Sequence, residues 1–217
     1  MAAALAVAVV GFASSAAAQS AGGENEGSKE TSTGVDETQE NLAEKALRKR
    51  LEYLLSGYHF SPSREELDEV AEASRITGTL EAIASDDEVR PSLRTRAVDT
   101  LALYEEHSGS VDFLEGLLEK PAGELSEQRR RTQNLLRHHA ITAIAQLQSD
   151  QKAVETLGGL LASENLQIRL TVVSALGQHA GEAGERRLEK FVQSVEDDVV
   201  REEVGKYVDV EAADSAE

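Results

Sequence analysis

Ile168-Arg169-Leu170-Thr171-Val172-Val173-Ser174-Ala175-Leu176-Gly177 is the stretch from which the rest of the chain can be read. With Arg169 as position i, the apolar residues Ile168, Val172, Val173 and Leu176 fall at i−1, i+3, i+4 and i+7, one narrow stripe at 100° per residue. That spacing predicts a packed helix face. Thirty-two residues earlier the pattern recurs in Leu136, Arg137, Ala140, Ile141 and Ile144. Thirty-two later it recurs in Val200, Arg201, Val204 and Val208, with Gly205 at i+4. A fixed period of this size marks a repeat architecture.

A fourth copy, Leu93-Arg94 with Ala97, Val98 and Leu101, stands forty-three residues before Arg137, so one period and an eleven-residue insertion separate them. Val89-Arg90 with Leu93 and Ala97 fits the same template equally well. Leu47-Arg48 with Leu51 and Leu55 fits it too, as a degenerate N-terminal cap. In each copy the arginine lies inside the apolar stripe. A charge placed there needs a carboxylate or a set of carbonyls. Acids stand in the turns just before the arginines: Asp86 and Asp87, Glu164, then Asp197 and Asp198.

The segments 197–204, Asp-Asp-Val-Val-Arg-Glu-Glu-Val, and 168–177 resemble HEAT-like repeats, the armadillo-type helical family with a lyase-like branch. The resemblance covers roughly residues 80–208. It implies an all-α solenoid of stacked helix pairs, about four repeats with N-terminal cap helices, and an Asp/Arg ladder along the stack. The implied ladder residues are Arg94, Arg137, Arg169 and Arg201 with Asp87, Asp197 and Asp198. The copy at Arg137 departs from the pattern, with Gln133 and Asn134 in place of acids.

Composition narrows the function. A net charge of −18 over 217 residues argues against nucleic acid as a partner. The absence of cysteine excludes a disulfide framework and a lipoprotein anchor. About half of the excess acid lies in 20–40 and 209–217, outside the repeats.

Residues 1–18 hold no charged side chain and end in Ala16-Ala17-Ala18, which reads as a secretory signal cut before Gln19. Residues 19–40 are Gly, Ser, Thr and acid, with too little apolar surface to repay ordering, and read as a disordered acidic linker. The repeat domain is expected over 41–208, with an acidic disordered tail over 209–217. Its first helix is expected over 41–58, with Leu42, Ala46, Leu47, Leu51, Leu54 and Leu55 on one face.

Further along, Ser63 and Glu66 form a capping-box pattern, and Pro91 suits the first turn of a helix expected over 89–106. Ser110 is expected to cap the helix after that. Pro121 to Arg131 reads as the insertion, with Arg129-Arg130-Arg131 as a candidate patch for an anionic partner, and a turn is expected from Gly177 to Gly184.

The chain shows no nucleophile motif, phosphate loop or metal-ligand spacing. His138 and His139 are adjacent, so on a helix they diverge by about 100° and make no two-ligand edge. The reading is therefore a monomeric, non-catalytic scaffold for a protein or peptide, periplasmic or secreted, with no cofactor and no membrane span after signal removal. The alternative comes from the resemblance: one branch is similar to chromophore lyases, and an enzyme of that kind would need a pocket with convergent polar groups.

Overall fold

The computed structural model describes residues 33–57, 61–105, 107–119, 126–147 and 150–209. The expected signal and the bulk of the acidic tail lie outside them. Among the described residues all regular structure is helical. In chain order the helices are α1 (Thr33–Leu55), α2 (Arg64–Asp68), α3 (Ala73–Ser85), α4 (Pro91–Leu101), α5 (Ser108–Glu119), α6 (Glu127–Leu147), α7 (Asp150–Gly158), α8 (Leu166–His179), α9 (Gly181–Val192) and α10 (Asp198–Val204). A single 3-10 turn, Gly159–Ala162, continues α7.

Four pairs follow from the packing: α3 with α4, α5 with α6, α7 with α8, and α9 with α10. The second helices of the pairs pack on one another in the order α4, α6, α8, α10, and α7 packs on α9. This is an α-solenoid. The stripe residues form its interior: Ala97, Val98, Leu101, Ile141, Ile144, Val172, Val173, Leu176, Val200 and Val204 are all fully buried. Gly205, which stands where the other copies carry Val98, Ile141 and Val173, is exposed and is the C-cap of α10.

Several boundaries differ from the sequence reading. Helix α1 begins at Thr33, so 33–40 is helical and not linker, and only 19–32 of that stretch lies outside the description. Its packed face starts at Leu47; Leu42 is 62% exposed and Ala46 is exposed as well. Periodicity alone extends the stripe beyond the part of α1 that is buried.

Ser63 and Glu66 close the predicted capping box, and Pro91 is the first residue of α4. Helix α4 stops at Leu101, and Tyr104 beyond it is buried. Ser110 lies within α5 and does not cap it. The reach of the insertion is corrected too, since α6 starts at Glu127 and takes in all three arginines of the basic triplet. Between α8 and α9 the expected turn shrinks to Ala180 and Gly181, where a φ of 48° suits glycine. Gly177 stays inside α8, and a Cβ there would fall 2.3 Å from the Tyr207 ring.

Candidate functional site

The arginines of the stripe sit where the second helix of a pair passes the end of the first. Arg94 Nε donates to the Ala84 carbonyl in the last turn of α3, at 2.9 Å. Arg137 Nη2 donates to the Leu118 carbonyl of α5, at 2.6 Å. Arg201 Nη1 donates to the carbonyls of Val192, the last residue of α9, and Val195, each at 3.3 Å. Two arginines outside the template do the same across pairs: Arg96 donates to the carbonyls of Leu55, the last residue of α1, and Gly57 beyond it, and Arg187 to Gly158 at the end of α7. A helix leaves its last carbonyls unpaired and its C-terminus partly negative, so a guanidinium answers both needs at once. This explains a charge inside an apolar stripe.

Carboxylates complete part of the arrangement. Arg94 Nη1 pairs with Asp87 Oδ1 at 2.8 Å, an acid of the preceding turn as the sequence suggests. Arg169 does not look back. Its Nη2 meets Oδ2 of Asp197, twenty-eight residues ahead, at 2.8 Å. Arg48 also pairs forward, with Asp86 at the end of α3. That guanidinium, then the Glu88 backbone N–H, hold the Asp86 carboxyl below the usual carboxylate range.

The expected pairing of Arg169 with an acid of its own preceding turn is thus replaced by a bond to the next repeat. At that place the chain has Asn165, which caps α8, and Asp197 likewise caps α10 through Oδ1 while Oδ2 takes Arg169. Asp198 is an exposed first residue of α10, where it favours the positive helix end.

Arg137 has no carboxylate partner among the described residues, and its Nε is buried with no partner. Arg169 Nε is unpaired as well, but its Nη2 has Asp197. Of the basic triplet, Arg129 lies 3.6 Å from the second oxygen of Asp87, Arg131 pairs with Glu127 one turn back, and Arg130 is exposed.

A second polar row, not anticipated from the sequence, ties the second helices together. His139 Nδ1 meets Asp99 of α4 at 2.6 Å, while His138 Nδ1 meets Thr171 of α8. The two imidazoles reach to opposite neighbours, in keeping with their 100° divergence. Burial, then the neighbouring His139, hold His138 below the usual imidazole range. Past α10, the Tyr207 hydroxyl reaches Ser174 at 3.2 Å and Gln178 at 3.1 Å, and its ring covers Gly177. Between these contacts a groove of about 270 Å³ runs along α8, lined by Thr142, Thr171, Ser174, Gln178, His179 and Glu203.

Residues 124–207, which include α6 to α10, match the family model of HEAT repeats. That stretch carries HEAT repeats. The match spans the copies at Arg137, Arg169 and Arg201, and α3 with α4 extend the same pairing ahead of it. No curated protein matches the chain. Stacked helix pairs of this kind present an extended surface suited to protein interaction. No helix among the described residues is long and apolar enough to cross a membrane.

Proposed function

We propose that the protein is an exported, non-catalytic scaffold whose HEAT repeats hold a protein or peptide partner along the second-helix layer. The observation that carries this reading is the groove on α8. Its rim of hydroxyl, amide, imidazole and carboxylate groups comes from three successive second helices, α6, α8 and α10. Such a surface hydrogen-bonds an extended chain and has one side-chain set per repeat to read it. The uncharged stretch ending at Ala18 supports export.

The test starts with a pull-down on the chain from an envelope fraction of the native host, with the captured protein then purified and mixed with it. A complex of fixed stoichiometry in light scattering that is weakened at least tenfold by Gln178→Ala is expected. A small molecule that co-purifies at one equivalent and is converted on incubation would overturn the non-catalytic reading. Intact-mass measurement should find a chain beginning at Gln19; a soluble cytoplasmic species that retains Met1 would sink the export reading.

A further inference from the structure

Two neighbouring junctions of this solenoid share one layout and differ by a single amide. Arg169 and Asp197 are twenty-eight residues apart, and so are Arg137 and Asn165. Both Asp197 and Asn165 cap the next second helix with Oδ1. Asp197 then has a second oxygen for Arg169. Asn165 has an amide nitrogen there, which is a donor and cannot accept from Arg137. Its Oδ1 already accepts from Gln167 and Ile168, at 3.0 and 3.4 Å. Arg137 is left with one backbone carbonyl and a buried, unpartnered Nε.

Beside these groups is a cavity of about 90 Å³. Arg137, Asn165 and Ser163 supply its polar wall, and Ile141, Leu160 and Ile168 are among its apolar residues. Asn165 is exposed and Ser163 half-buried at the outer side, while Ile141 and Ile168 are buried. Among the described residues no acid lines this cavity, whereas the corresponding crevice around Arg169 includes Glu196 and Asp197.

We infer that the Arg137–Asn165 junction is a receptor for one carboxylate, carried into it by the scaffold's partner on a short apolar stem. Among the described residues the guanidinium, the Asn165 amide and the Ser163 hydroxyl have no acid beside them in this cavity, and a carboxylate accepts several hydrogen bonds at once. The apolar walls match the methylene groups that carry an Asp or Glu carboxylate, or the last residue of a free C-terminus. A polyanion fits less well, because the protein's net charge of −18 opposes it. The inference rests on the scaffold reading for the source of the group, though not for the site itself.

The experiment follows the Arg137 Nε–H signal by 15N NMR in the arginine-labelled full chain, assigned with Arg137→Lys. Sodium acetate is titrated against sodium chloride at matched ionic strength. A saturable shift confined to Arg137, absent with chloride, is the expected result. Asn165→Asp supplies the missing oxygen from within while keeping a good helix cap, and should weaken acetate binding at least tenfold. A response that does not saturate, that matches chloride, that appears equally at Arg169, or that survives Asn165→Asp overturns the proposal.

Two peptides of equal length then separate the sources, one with a single internal Glu and an amidated end, the other with no acid and a free C-terminus. Displacement of acetate by either supports the inference and names the source. If acetate saturates Arg137 and neither peptide displaces it, the carboxylate site stands and the partner-borne reading fails.

Discussion

The junction between α8 and α10 and the junction between α6 and α8 are built on the same backbone plan and closed by different chemistry. In the first, Arg169 spans to the N-cap aspartate of the next repeat. In the second, Arg137 faces an N-cap asparagine and turns to a carbonyl of its own pair. Asn and Asp cap a helix about equally well, so local helix chemistry is indifferent to the exchange. What changes is the tie between repeats. One capping position therefore does two separable jobs, starting a helix and holding its neighbour, and only the second requires a carboxylate.

The largest effect should come from taking both jobs away. Asp197→Ala loses the cap, worth about 1 kcal/mol, together with the pair to Arg169. With side chains 25% and 33% exposed, water reaches that pair, and the whole substitution is expected to cost about 2–3 kcal/mol in urea unfolding. Asp197→Asn should keep the cap and recover about half of that loss. Arg130→Ser, an exposed change, belongs beside it as a control within about 0.5 kcal/mol. Equal midpoints for Asp197→Ala and the control would break the comparison, because the forward pair would then hold nothing together.

A smaller effect of opposite sign is expected at the other junction. Asn165→Asp should let Arg137 reach forward as Arg169 does, and raise stability by about 0.5–1 kcal/mol. A double-mutant cycle with Arg137→Lys would locate the gain. If Asn165→Asp stabilises by the same amount when Arg137 is replaced, the added charge acts on the helix end alone.

The smallest effect concerns the other link across that incomplete junction, His138 to Thr171. Burial keeps the His138 pKa below its unfolded value of about 6.5, so the unfolded chain takes up the proton first. Stability is then complete above that value and falls as pH drops through the lower folded value. The urea midpoint should decline between pH 8 and pH 5, and His138→Asn should remove part of the decline. An unchanged pH profile in the variant would mean that His138 is not a source of it.

Most of the packing was legible in the sequence for a simple reason. The stripe of Ile168, Val172, Val173 and Leu176, repeated at thirty-two residues, is periodic along one helix, and a helix exposes its buried face to sequence inspection without reference to any neighbour. The same reasoning identified Ser63, Pro91 and the repeat register. It overran at Leu42, which the structure leaves exposed, and at 127–131, where the polar first turns of α6 resemble a loop. The choice between Arg90 and Arg94 needed burial to decide it: Arg90 precedes the first residue of α4 and is exposed, whereas Arg94 is 9% exposed.

By itself, then, the sequence determined the helices, their repeat and the presence of an arginine in each stripe, because these depend on local periodicity and propensity. The tertiary structure alone decided where each arginine points. Guanidiniums have long, rotatable stems, and carbonyl ends and carboxylates lay within reach both behind and ahead. Arg137 and Arg169 occupy the same position in their apolar stripes. They part company because one faces an amide and the other a carboxylate across a junction that exists only once the repeats are stacked.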